Sequence, residues 1–184
     1  MYPDGEATVV VDPGPISQVL EGASRPGHFR GVATVVTKLL ALFTADRAFF
    51  GEKDYQQLLV VRALARDLCF VTEVLGVETV REEDGLAMSS RNARLDVAQR
   101  AIAPALYRTL LEARQLVESG SSPEIAEETM RHRIAAEAAF ELDYAVCRDA
   151  SNLGAVGPDS SVVRLLIAAR LGSVRLIDNL GALR

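Results

Sequence analysis

The chain has 184 residues, a formal net charge of −5, 49% apolar and 24% charged residues. That length covers one large domain or two small ones, and the apolar share is enough to bury a core. The acidic balance argues against a dedicated nucleic-acid surface, which needs clustered Lys and Arg, but leaves small anionic ligands open. Aromatics make up only 5% with no Trp, which favours helices packed on a sheet over an aromatic-rich sandwich. Cys69 and Cys147 lack metal-ligand spacing and sit in apolar surroundings, so two buried, reduced thiols are expected. The longest apolar stretches, Leu39–Phe43 and Leu165–Ala169, are too short to cross a bilayer, and Met1–Glu6 has no secretory pattern. A soluble, cytoplasmic protein without a membrane or nucleic-acid partner is the expectation.

Tyr2-Pro3-Asp4-Gly5 is turn chemistry, and Thr8–Val11 reads as a short strand stopped by Asp12-Pro13-Gly14-Pro15. Residues Glu21–Gly31 read as a loop. Phe29, Val32, Val36, Leu39 and Phe43 recur at helical spacing and predict a helix to about Thr44. Arg47–Phe50 predicts a strand ended by Gly51, and Asp54 is placed to cap a helix bearing Leu58, Val61, Ala65 and Leu68. Phe70–Val77 predicts another buried strand. The alternation points to a parallel α/β sheet, whose ligands bind beyond the carboxyl ends of its strands. After Thr79 the pattern changes. Arg81–Asn92 reads as a loop, and Asp96 with Gln99 suits the start of a long helix that Pro104 should kink and Gly120 should end. Ser122-Pro123 opens a helix to about Ala139, and strands follow around Leu142–Val146, Val162–Ala169 and Val174–Ile177. The predicted fold class is α/β: a partial Rossmann-like parallel sheet over residues 1–80, then a small α+β domain with a three-stranded sheet over 81–184.

Three stretches carry possible chemistry. In Phe49-Phe50-Gly51-Glu52-Lys53-Asp54-Tyr55-Gln56-Gln57, a strand end, a Gly and a charged helix start coincide where such sheets bind ligands. Gly51 admits a close ligand, free N–H groups and Lys53 favour an anion, and Gln57 lies one turn beyond Lys53. A solvated helix start explains the same residues. In Asp84-Gly85-Leu86-Ala87-Met88-Ser89-Ser90-Arg91-Asn92, two hydroxyls and a guanidinium can wrap a phosphate, or the segment is a linker. In Leu20–Gly31, Arg25, His28 and Arg30 could meet a carboxylate, or His28 could only cap the next helix; His132 reads as a surface residue. No spacing indicates a metal site built by the protein.

Together these stretches resemble the pantothenate synthetase (pantoate–β-alanine ligase) family. Leu20-Glu21-Gly22, Arg25-Pro26, His28-Phe29, Gly31-Val32, Thr34-Val35-Val36 and Lys38-Leu39 follow one family segment. Gly51–Asp54 with Gln56-Gln57 follows a second, Asp84–Asn92 a third, and Ala168–Gly172 with Arg175–Asn179 a fourth. The resemblance implies an ATP- and Mg2+-dependent ligase that makes a pantoyl adenylate from pantoate, then pantothenate from β-alanine, on a nucleotidyl-transferase fold with a mobile Ser-containing loop. It also implies residue roles. Gly51 and Asp54 would hold the ribose, Lys53 the phosphates, and Glu52 belongs to the same ATP-binding segment. Val80 would lie beside adenine, and Met88, Ser89, Ser90 and Arg91 would close over the triphosphate. Gln57 would bind pantoate, with Val35 and Val36 as its apolar wall. Lys53, Ser89, Ser90 and Arg91 are the expected catalytic residues.

The family's two-histidine motif, first pantoate glutamine and acidic pair near magnesium have no counterpart in these 184 residues. The expectation is therefore a carboxy-terminal part of such an enzyme, weakly active or inactive alone. It would act as a split enzyme or fragment, or as a non-catalytic nucleotide- or partner-binding module. Bare sheet edges before residue 80 suggest a homodimer or a complementary amino-terminal chain as partner.

Overall fold

The structure, a computed structural model, describes residues 1–3, 5 and 7–184; Asp4 of the expected opening turn and Glu6 lie outside the described residues. The chain divides between Glu78 and Thr79 into two units, so Val80 belongs with the second.

In the first unit, α1 (Glu21–Ser24) is a single turn and α2 (His28–Phe43) a long helix, followed by β1 (Arg47–Gly51), α3 (Tyr55–Asp67) and β2 (Glu73–Val77). β1 and β2 pair in parallel, with Arg47 opposite Glu73 and Gly51 opposite Val77. A parallel pair needs a crossover rather than a tight turn, and α3 supplies it. Ala33, Val36 and Leu40 of α2 meet Val61, Leu64 and Ala65 of α3, and Ala48, Phe50 and Val74 add the strand side of the same core.

Four expectations for this unit need correction. Thr8–Val11 is not a strand. A strand needs a ladder for its backbone groups; here the Val11 N–H instead donates to Thr34 Oγ1 at 3.0 Å, and Val9 is 82% exposed. The Glu21–Gly31 loop contains α1, and α2 starts at His28 rather than after Gly31. β2 begins at Glu73, three residues later than expected, because α3 ends in a Schellman motif: Phe70 N–H bonds Ala65 O at 2.9 Å and Cys69 N–H bonds Arg66 O at 3.2 Å. Cys69 takes the left-handed position, with φ 57°, and is exposed rather than buried.

In the second unit, α4 (Val97–Ile102), α5 (Ala105–Glu118) and α6 (Pro123–Ala136) precede β3 (Phe140–Asp149), β4 (Val162–Leu171) and β5 (Val174–Leu183). The strands form an antiparallel sheet in the order β3-β4-β5. Asp96 and Gln99 form the capping box at α4. Pro104 does more than kink the expected long helix. It splits it into α4 and α5, because proline lacks the N–H that would continue the ladder. Leu106, Leu110, Ala113 and Val117 of α5 join Ala126, Met130 and Ile134 of α6 over Val163, Leu165 and Ile167 of β4, a single core. β5 runs six residues past the expected Ile177, because Asp178 and Asn179 interrupt its apolar pattern without interrupting its ladder.

Cys147 lies in that core, and burial together with the nearby Glu127 carboxylate pushes its thiol up to about 11. Thiolates are the reactive form, so at pH 8 iodoacetamide should modify Cys69 alone in the native chain, and Cys147 only after denaturation. Peptide mass spectrometry checks this; native labelling of Cys147 would refute the packing described.

Candidate active site

The β1–β2 register sets Gly51 beside Val77 at the carboxyl end of the parallel pair, the end at which α/β sheets hold ligands. Gly51 is exposed and the space beside its Cα is open. Glu52–Asp54 form one 3-10 turn leading directly into α3. Asp54 occupies the N-cap position but makes no capping hydrogen bond, contrary to expectation, and its carboxylate is exposed. Glu52 folds back over β2: a Cβ on Gly76 would stand 2.9 Å from Glu52 Oε1, so a larger residue there would make that carboxylate shift. Lys53 and Gln57 are both half-buried, one turn apart.

Adjacent glutamines on α3 differ in environment. Gln56 is 3% exposed, and its amide accepts from Glu21 N–H at 3.0 Å while donating to Ile16 O at 2.7 Å and Val19 O at 2.8 Å. It therefore ties the segment before α1 to α3. Gln57 has no hydrogen-bond partner among the described residues, so its amide is available to a ligand. Sequence spacing points to Gln57 but misses the clamp at Gln56, whose partners lie 35 to 40 residues away.

Arg25 Nη1 lies 3.1 Å from His28 Nε2, and His28 opens α2. Arg30 lines two open clefts, one with Tyr2, Val10 and Thr34, the other with Asp12, Gln18 and Phe29; neither is lined by residues 51–57. Val36 is buried in the core against α3, whereas Val35 is only half-buried at its margin.

In the second unit the expected phosphate loop is a small hairpin. Arg81 and Ala87 form an antiparallel bridge, and Met88 N–H donates to Val80 O at 2.9 Å, so Val80 and Met88 lie side by side. Leu86 and Ala87 are buried, while Val80, Met88, Ser90 and Arg91 are exposed. Ser89 Oγ accepts from Arg91 N–H at 3.3 Å and starts the 3-10 turn Ser90–Arg94. Asn92 Nδ2 donates to Ala87 O at 3.1 Å and closes the turn that presents these residues. Arg91 meets no carboxylate among the described residues. Asp84 Oδ2 accepts from Arg100 at 2.5 Å, and that hydrogen bond holds its carboxyl below the usual range.

A strand-end lysine with an available glutamine, and a serine–serine–arginine turn, are parts suited to binding a polyanion and a small carboxylate. The family model for pantoate–β-alanine ligases matches residues 1–181. The chain belongs to that family. The pantothenate synthetase of Dinoroseobacter shibae is 51% identical over 180 residues, covering 97% of this chain and 64% of the relative. That of Chromohalobacter salexigens is 50% identical, over 98% and 64%. The crystal structure of the Thermus thermophilus enzyme superposes with a TM-score of 0.91 at 49% identity, covering 98% of this chain and 65% of that one. A Francisella tularensis pantoate–β-alanine ligase, described as complexed with β-γ ATP and β-alanine, gives 0.71 at 32%, covering 97% and 60%. The chain thus spans about 64% of the length of the curated relatives first matched.

Replacing Gln56 by Leu removes three hydrogen bonds to the backbone of Ile16, Val19 and Glu21, and it should cost about 2–3 kcal/mol in chemical denaturation. Gln57→Leu should change stability by less than about 0.5 kcal/mol. Equal costs would contradict the division between a clamp and an available amide.

Proposed function

We propose that the chain takes part in pantothenate (vitamin B5) biosynthesis, as the part of a pantoate–β-alanine ligase that carries the Gly51–Asp54 and Met88–Arg91 segments. Family membership across residues 1–181 is the observation that carries this reading. In the reaction, a pantoate carboxylate oxygen attacks the α-phosphorus of ATP, and the bond from that phosphorus to the bridging oxygen breaks, releasing pyrophosphate. The uncharged amine of β-alanine then attacks the acyl carbon of pantoyl adenylate. The bond to AMP breaks, AMP leaves, and the amine loses a proton to solvent.

A carboxylate is a poor acceptor for an amine until it carries a good leaving group, so positioning and charge stabilisation are the protein's tasks. Lys53 is the cation proposed for the phosphates, with Gly51, Glu52 and Asp54 along the rest of the nucleotide. Ser89, Ser90 and Arg91 are proposed donors to the triphosphate, where negative charge shifts toward the leaving pyrophosphate. Val80 and Met88, adjacent on the hairpin, would flank the base and phosphates. Gln57 is proposed for pantoate, with Val35 and Val36 behind it. Residues 1–80 would serve as the nucleotide-binding half and 81–184 as the lid.

Among the described residues no group of three or more His, Cys, Asp or Glu could hold a metal ion. These residues do not fit a protein-built Mg2+ site. A magnesium ion would then be carried in by the nucleotide and would offset charge on its phosphates. Among the described residues no helix is long and apolar enough to cross a membrane. The free thiols accord with a cytoplasmic setting.

The chain alone, supplied with ATP, magnesium, pantoate and β-alanine, should release AMP only weakly, and only when all three organic substrates are present. Lys53→Ala should lower that rate by about 100-fold or more, with an unchanged circular dichroism spectrum. ATP binding without AMP would favour the binding-module reading, and neither binding nor AMP from a folded sample would refute the proposal. Leu42, Phe43, Phe49 and Val71 are exposed in the first unit, which supports association with a second copy or with a complementary amino-terminal chain. Light scattering at micromolar concentration should show more than a monomer for the chain or its mixture with that segment; monomers in both would exclude the association.

A further inference from the structure

Arg81 opens the hairpin that ends in Met88–Arg91, and its guanidinium is unusually committed. Nη1 lies 2.7 Å from Asp178 Oδ2 and Nη2 lies 3.0 Å from Asp178 Oδ1, a bidentate pair. Nη1 also donates to Gly85 O at 3.0 Å, inside the hairpin. The guanidinium carbon stands 3.8 Å from the centre of the Tyr107 ring on α5. The other side of the hairpin meets the same ring: a Cβ on Gly85, whose φ is +90°, would come within 2.3 Å of Tyr107 Cδ1. Asp178 is 4% exposed in β5, facing Ile167 of β4 across the ladder, and its Oδ1 also accepts from Asn179 N–H at 2.7 Å.

One side chain thus links the rigid sheet, α5 and the hairpin. Beyond Gly85, the buried Leu86 and Ala87 continue the anchored stretch, and Ala87 O holds Asn92, which closes the Met88–Arg91 turn. The height and direction of that exposed turn are therefore set from β5, through Arg81, rather than by the turn itself. Lysine would keep the charge and lose the fork, so the identity of the residue matters more than its sign.

We propose that Arg81 and Asp178 are positioning residues, a latch that holds the Met88–Arg91 turn in the orientation needed to donate to the nucleotide. The latch rests on the adenylation reading for its purpose, though not for its geometry. The test compares the chain with its Arg81→Lys and Asp178→Asn variants by amide hydrogen exchange and by ATP titration. Peptides covering residues 82–92 should exchange about ten-fold faster in both variants, with α6 and β4 peptides unchanged. ATP affinity should fall about ten-fold alongside, while Arg170→Lys, an exposed control, changes neither. Unchanged exchange in the hairpin overturns the latch, and so does loosening that spreads equally into α6 and β4, which a purely structural pair would produce. A loosened hairpin with undiminished ATP affinity overturns the positioning role. If the unmodified chain binds no ATP, the adenylation reading fails, and hairpin exchange alone then decides the latch.

Discussion

Two parallel strands cannot be joined by a hairpin, and much of the first unit follows from that constraint. The chain leaving β1 at Gly51 must travel back along the sheet before β2 can begin, and α3 is the return path. One face of α3 is then committed to covering the strands and α2, through Leu58, Val61, Leu64 and Ala65. The first turn of α3, with Lys53 just before it, is left at the ligand end of the sheet. Successive helical residues point about 100° apart, so two neighbouring glutamines face different surroundings. Gln56 is spent on the backbone of Ile16, Val19 and Glu21, and Gln57 remains available beside Lys53.

The second unit solves a different problem, that of charges placed inside an apolar core. Asp178 and Asn179 sit in β5 between residues that pack on the core, and an unpaired carboxylate there would be strongly unfavourable. Arg81 satisfies both oxygens of Asp178, and Arg164 Nε donates to Asn179 Oδ1 at 2.6 Å. Buried ion pairs contribute little net stability compared with apolar residues of the same volume, but breaking one is costly. Their value is in specifying one arrangement, and here that arrangement ties a surface hairpin to the middle of a sheet.

Legibility in the sequence followed the range of the interactions. The helical face of α2 was readable because its apolar residues recur every third or fourth position, Ser122-Pro123 announced the start of α6, and Asp96 with Gln99 announced the capping box at α4. The Schellman end at Gly120 was readable for the same local reason, whereas the equivalent end at Cys69 was not, because a non-glycine residue takes the left-handed position. Thr8–Val11 has strand composition without a strand partner among the described residues, and composition cannot supply the ladder. β5 was read short because Asp178 is explained only by Arg81, 97 residues earlier. The same divide runs through the candidate site. The Gly51–Gln57 and Met88–Arg91 segments stood out as motifs, while the clamp at Gln56 and the pair that anchors the hairpin depend on contacts no local pattern encodes.

The charge pattern explains how an acidic chain can offer an anion site. In the second unit Arg100, Arg133 and Arg175 lie against Asp84, Glu112 and Asp143, and Arg131 and Arg148 share Glu127. Such pairs cancel at short range, and beyond a Debye length of about 8 Å salt screens what remains. The net charge of −5 therefore says little about the field at any one surface point. What matters locally is which cations lack a carboxylate, and Arg91 is one of these among the described residues. It follows two serine hydroxyls on a turn whose backbone is already fixed by Asn92 and Ala87. A guanidinium left uncompensated on an ordered turn is a better anion donor than a larger number of compensated ones, because it gives up no existing partner on binding.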